Sequence, residues 1–218
     1  MNRCQLLTIF LLSAPLTCLA QIQVSQEPRH HNVYENNRVR ILDVHIPPGD
    51  TSLMHKHSTP SVFMILSQTK TGSEVLVEPA KTNFSDGNIW FESFSEKPRI
   101  HRVWNSDTTE FHVVDMELLN KDPQPIDPPL GGNTFTLLFD ETPVRGYRLL
   151  LPAGGKIRVP GRKAAIVVVG LSNTKGEVSV NKNPFTKKGD FVFVGPGGQV
   201  DLVNNGNGAE SFALLELK

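Results

Sequence analysis

The chain has 218 residues, 39% of them hydrophobic, which is ample for one large or two small packed domains and excludes global disorder. Its 22 Lys and Arg balance 22 Asp and Glu with no long basic run, so nucleic acid and charged membrane surfaces drop out as partners. The 17 Gly and 16 Pro stay near average usage, which removes collagen-like and low-complexity readings.

In chain order, the first predicted element is a secretory signal peptide over residues 1–20. Met1–Arg3 gives a short basic start, Leu6–Leu16 an apolar run, and Cys18-Leu19-Ala20 a cleavage point ending on a small residue. Cleavage after Ala20 makes the mature protein periplasmic or secreted, with no membrane attachment. A spanning helix needs about 20 apolar residues, whereas this run is shorter and contains Pro15. A lipoprotein anchored through Cys18 is the weaker alternative, because Pro15-Leu16-Thr17 matches the lipoprotein signal poorly. Both cysteines, Cys4 and Cys18, leave with the segment, and disulfides, thiolate catalysis and cysteine metal ligands leave with them.

Residues 21–33 read as a polar approach segment. A first barrel is predicted over residues 34–119, with short strands at Val39–Ile46, Ser61–Leu66, Ser73–Val77, His101–Trp104 and Phe111–Leu118. Residues 120–133 carry Pro123, Pro125, Pro128, Pro129 and Gly131-Gly132, a composition that breaks a strand ladder and predicts a linker. A second barrel over residues 134–218 repeats the plan with Val144–Leu151, Ala164–Gly170, Glu177–Val180, Gly189–Val194, Val200–Val203 and Phe212–Leu217. The halves are faintly alike in sequence. Val39-Arg40, a strand and Pro47-Pro48-Gly49 recur as Val144-Arg145, a strand and Pro152-Ala153-Gly154; Asn105 and Met116-Glu117-Leu118 recur as Asn204 and Leu215-Glu216-Leu217. This predicts an internal duplication, each copy a small antiparallel barrel, and an all-β fold.

The chemistry is concentrated in the first copy. His55 and His57, two apart on a strand, project to one face, and His101 from a facing strand completes a tripod of imidazoles with positions left open on a divalent metal. The spacings Gly49, five residues, His55-x-His57, and later His101, three residues, Asn105, resemble the two motifs of the cupin superfamily. That resemblance implies two tandem cupin-type antiparallel β-barrels and a metal-ligand role for His55, His57 and His101, with iron, manganese or zinc as the ion. The family's motif Glu is missing, its place taken by Ser61 or Val62, and the Pro-x-Gly of the second motif reads Glu96-Lys97-Pro98. In the second copy Pro160, Arg162 and Val200 align with the ligands, so that copy is expected to be structural and metal-free.

Without the Glu, three neutral imidazoles leave the full dipositive charge on the ion, which favours an anionic or chelating small molecule. Two functions follow: a metal-dependent enzyme, dioxygenase-like or isomerase-like, and a non-catalytic cupin that binds a small ligand or serves as an interaction module. No catalytic residue is assigned, and a second copy of the chain is the macromolecular partner expected. His112 alternates with Val114, Met116 and Leu118, which aims it into the barrel as a half-buried core residue; His30, His31 and His45 are expected to be exposed. Asn105 and Asn204 are expected to form turns, and Asn83-Phe84-Ser85 matches a glycosylation sequon. Metal binding is expected to weaken below about pH 6.5, the ordinary histidine pKa.

Overall fold

The computed structural model describes residues 21–75, 78–84, 86–94 and 96–218, the stretch 75–84 by its backbone alone. The expected signal segment with Cys4 and Cys18, and the side chain of Asn83, lie outside what is described.

The first half builds strands β1 (Ile22–Gln23), β2 (His30–Glu35), β3 (Val39–Ile46), β4 (His55–His57), β5 (Ser61–Ile65), β6 (Thr69–Val75), β7 (Glu78–Phe84), β8 (Ile89–Glu92), β9 (Arg99–Asn105) and β10 (Phe111–Leu118). They form two five-stranded sheets, ordered β1-β4-β9-β6-β7 and β2-β3-β10-β5-β8. The second half builds β11 (Phe135–Asp140), β12 (Val144–Leu151), β13 (Lys156–Val159), β14 (Ala165–Gly170), β15 (Val178–Val180), β16 (Asn183–Phe185), β17 (Phe191–Val194), β18 (Val200–Asn204) and β19 (Glu210–Leu217). Its sheets run β11-β12-β19-β14-β17 and β13-β18-β15-β16. The chain is all-β, in two tandem barrels whose pairings are antiparallel apart from β1 with β4 among the described residues. Residues 21–33, expected as an approach segment, supply β1 and the start of β2 to the sheets of the first barrel.

Side-chain alternation assigns each face of β3 and β10 to a different core. Leu42, Val44, Ile46, Phe111 and Val113 fill the first barrel, while Val39, Ile41, Val114, Met116 and Leu118 pack outward against Val144, Val167, Leu215 and Leu217 of the second half. A third cluster, including Tyr147, Val168, Phe185, Leu202 and Phe212, fills the second barrel. This sandwiched middle core inverts one expectation. The apolar phase of β10 points at the neighbouring barrel, so His112 leaves the barrel interior and Asp115 enters it.

The duplication is visible in backbone detail. Gly49 and Gly154 both open their turns with positive φ, 76° and 65°, a conformation that favours glycine. Asn105 donates from Nδ2 to the carbonyls of Ile46 and Thr109 and accepts from the Asp107 N–H; Asn204 donates to Leu151, Pro152 and Gly208 and accepts from Gly206. Both asparagines are turn-formers. The cross-strand pair His55 with His101 has its counterpart in Val159 with Val200. The sequence alignment through Gly154 therefore runs one residue long, and Val159 stands where Pro160 was expected. Both valines are buried, 1% and 0% exposed, so methyl groups occupy the space that imidazoles fill in the first copy.

A fragment ending near Asn120 should aggregate, because it would expose the Val39, Ile41, Met64 and Met116 face, each side chain stabilised by roughly 1.5–3 kcal/mol of burial. Size-exclusion chromatography checks this; a dispersed monomeric fragment would contradict the shared core.

Candidate metal centre

Strand β4 reads His-Lys-His with His55 and His57 buried and Lys56 turned outward. It lies between β1 and β9, where His55 sits directly opposite His101. The three rings turn their Nε2 atoms toward one another: His55 to His57 at 3.1 Å and His57 to His101 at 3.0 Å. Two nitrogens each about 2.0–2.1 Å from one ion at angles near 90–109° are separated by roughly 2.9–3.4 Å. The observed spacing falls in that window.

The opposite nitrogen of each ring is held from behind. His55 Nδ1 donates to the Leu53 carbonyl at 2.8 Å, and His101 Nδ1 shares a hydrogen bond with the Ser73 hydroxyl at 3.0 Å. The carbonyl places the His55 proton on Nδ1 and leaves its Nε2 as a bare lone pair, the arrangement by which surrounding groups orient metal-binding histidines; the Ser73 hydroxyl can accept from His101 Nδ1 in the same way when Nε2 holds an ion. His57 Nδ1 instead faces Asp115 Oδ2 at 3.5 Å, beyond hydrogen-bond reach, and neither it nor either Asp115 oxygen has a partner. A cation on the Nε2 side would place the His57 proton on Nδ1, aimed at Asp115 Oδ2, so that a small closing of the 3.5 Å gap would give His57 Nδ1 and that oxygen a partner in each other. The donor set fits a divalent ion on this ground.

A fourth histidine joins them. His30, at the start of β2, is 9% exposed, its ring 4.7 Å from that of His55, and ligand atoms of His30, His55 and His57 lie within 4.8 Å of one another. Its Nδ1 is 2.6 Å from Glu27 Oε2, and Glu27 also accepts from the backbone N–H groups of Leu53 and Arg29. Burial works against a charged Glu27, yet His30 and these backbone donors outweigh it and hold its carboxyl below the usual range. The expectation that His30 is exposed is therefore corrected: β2 pairs with β3 and carries the ring inward. In the sequence it sits in the polar run Arg29-His30-His31-Asn32, where no apolar alternation marks a strand.

His45 is only half-exposed, held by Asp43 and Glu110. His112 joins that pair on the other face of the sheet and does not approach the four rings. For the missing family Glu, alternation separates the two candidate positions. Ser61 shares the inward phase of Phe63 and Ile65, whereas Val62 packs in the inter-barrel core.

Desolvation by burial, reinforced by neighbouring His30, lowers the His55 pKa to about 4. Burial, with His55 adding repulsion, takes His101 to about 2, and burial drives His57 well below its ordinary value. All three are neutral at pH 7, and proton competition moves far below the pH 6.5 expected from free histidine. The unfolded chain takes up protons below about pH 6.5 while folded His55 does not until about pH 4. The His55 contribution is thus complete above pH 6.5 and falls as pH drops toward 4, by about 3 kcal/mol. Thermal melts of the metal-free protein at pH 7.5 and pH 4.5 check this; equal melting temperatures would contradict it.

His30, His57 and His101 form one wall of a cavity of about 280 Å³, lined otherwise by Val44, Ile46, Phe63, Ile65, Trp90 and Val103, with His55 behind that wall. Arg99 lines it too, but its guanidinium is paired with Glu92 at 3.0 and 2.5 Å and lies over the Phe94 ring. Asp115 is 1% exposed at the same wall, and burial pushes its carboxyl well above the ordinary value, with Glu117 and Glu92 adding repulsion. The arrangement offers an apolar chamber with one face of imidazole nitrogens, suited to bringing a small molecule against a bound ion.

Two small antiparallel barrels packed face to face, one carrying inward-facing histidines on adjacent strands, define the cupin fold in its two-barrel form. No protein-family model matches the chain, and no curated protein matches it in sequence. Among solved structures it is similar to YhhW from Escherichia coli, with 12% identity and a TM-score of 0.62 over 88% of this chain and 89% of that one. A further structure of that bacterial pirin, in complex with nickel(II), aligns at 0.61 with 11% identity over 86% and 87%. Salicylate 1,2-dioxygenase from Pseudoaminobacter salicylatoxidans, in adducts with gentisate, aligns at 0.58 with 11% identity over 84% of this chain and 69% of that one. These likenesses establish the cupin fold.

Proposed function

We propose that this chain is an exported metal-dependent enzyme of dioxygenase type, in which His55, His57 and His101, with His30 beside them, hold an iron, manganese or zinc ion in the first barrel. The observation that carries the reading is the convergence of imidazole Nε2 atoms, 3.0 and 3.1 Å apart, on the wall of an apolar cavity. Support also comes from two of the similar structures, a bacterial pirin in complex with nickel(II) and a dioxygenase in adducts with gentisate. Export rests on the basic start, apolar run and small-residue boundary of residues 1–20.

When bound, the ion supplies Lewis acidity to an oxygen of the substrate. This chain's own residues do the rest. Phe63, Ile65 and Trp90 cover the apolar body of a small molecule and exclude water, while Glu27, Leu53 and Ser73 fix the imidazoles from behind. With Arg99 neutralised by Glu92, the charge of an anionic substrate would be met by the ion. The second barrel, with Val159 and Val200 at the ligand places, supports the first through the shared core.

The test is dioxygen uptake by metal-loaded protein offered phenolics, diketones and thiols in turn. The reading expects uptake with one class that is lost in His57→Ala. A folded, metal-loaded protein inert toward all three would replace the enzyme with a small-ligand-binding cupin.

A further inference from the structure

The sheet β2-β3-β10-β5-β8 has two faces, and the metal centre lies behind only one of them. On β3, Leu42, Val44 and Ile46 point into the barrel, while Asp43 and His45 project from the opposite face beside Ile41. His112 on β10 is directly opposite His45 in register, and Asp43 lies two residues along the same strand. Three potential ligands thus share one face of two hydrogen-bonded strands.

Their side chains converge. Asp43 Oδ1 is 2.6 Å from His112 Nε2 and Asp43 Oδ2 is 3.1 Å from His45 Nε2. The two rings stack with centroids 4.2 Å apart and planes 20° from parallel, and one ligand atom from each of the three residues lies within 4.8 Å of the others. His45 is held from behind as the buried histidines are, its Nδ1 2.8 Å from Glu110 Oε1, which leaves Nε2 to face Asp43. The side chains keep 32%, 16% and 21% of their exposure for His45, His112 and Asp43, so an ion can enter from solvent and retain water in its remaining positions.

We propose that Asp43, His45 and His112 form a second site for a divalent transition-metal ion, outside the first barrel and independent of His30, His55, His57 and His101. Two imidazoles and a carboxylate are the donors of zinc, nickel, copper or ferrous iron, whereas calcium takes six to eight oxygens and finds too few here. The ion takes the place of the protons now shared between Asp43 and the two rings. Because the ligands stand on paired strands, little backbone order has to be acquired on binding.

Zinc titration of the full chain, followed by calorimetry at about 0.15 M salt, decides the matter. The expected result is two equivalents bound by the wild type, one by the double variant His45→Gln/His112→Gln, and one by His57→Ala, with excess calcium displacing neither. A wild type whose one bound equivalent is lost in His57→Ala, or a double variant that binds as many equivalents as the wild type, overturns the second site. Circular dichroism checks that the variants fold. Should the double variant fail to fold, His57→Ala decides: no retained equivalent overturns the proposal, and one retained equivalent upholds it. Loss of the inner equivalent alone would count against the enzyme reading and leave this site standing.

Discussion

Replacing His57 by Ala is expected to empty the first-barrel centre while leaving the fold intact. His57 Nε2 is the atom that lies within 3.1 Å of His55 and 3.0 Å of His101, so its removal leaves two nitrogens with nothing between them. Loss of even an outer partner of a metal ligand costs roughly 10- to 100-fold in affinity, and loss of a central ligand should cost at least about 100-fold. Competition with a chromophoric chelator reads the affinity. An unchanged affinity in His57→Ala would contradict the centre, and Arg158→Ala, on the exposed face of the second barrel, serves as the control that leaves it unaffected.

Asp115→Leu should produce two large effects of opposite sign. In the metal-free protein Asp115 is buried with the Ser61 hydroxyl nearby but neither oxygen in a well-formed hydrogen bond, and a buried unsatisfied polar group costs about 1–3 kcal/mol. An apolar side chain of similar shape removes that cost, so the metal-free melting temperature should rise by about 2–4 °C per kcal/mol gained. The same change takes away the carboxyl group that His57 Nδ1 faces at 3.5 Å, and metal affinity should fall about 10- to 100-fold. Stability is read by thermal melts without metal, and affinity by the chelator competition. A lower metal-free melting temperature would show that the buried carboxyl is not a net cost, and an unchanged affinity would show that Asp115 does not support His57.

Much of this was legible because burial writes itself into alternation. Val39–Ile46, Phe111–Leu118 and Val144–Leu151 are strands with the same ends in sequence and structure, each apolar at most positions because each is covered on both sides. Strands with polar or mixed composition, such as His30–Glu35, Glu78–Phe84 and Asn183–Phe185, carry no such pattern; hydrogen bonding to a neighbouring strand, which the sequence does not display, makes them. The same limit hid His30, whose position in the centre depends on how β2 pairs with β3. His112 departs from its expected face for a different reason. Apolar phase alone marks the barrel interior of β10 as the side of Val114 and Met116, but the inter-barrel core is the more apolar of the two, and the first-barrel interior tolerates Asp115 beside a cavity. The convergence of His55, His57 and His101 was readable because their spacing follows from strand geometry and a known motif pair, which survive the loss of the motif Glu.

Anomalous X-ray diffraction from crystals of the metal-loaded protein tests the central claim most directly. The account predicts a peak about 2.0–2.1 Å from the Nε2 atoms of His55, His57 and His101, with His57 Nδ1 drawn toward Asp115. A folded protein loaded with iron, manganese or zinc that shows no peak among these rings would contradict it.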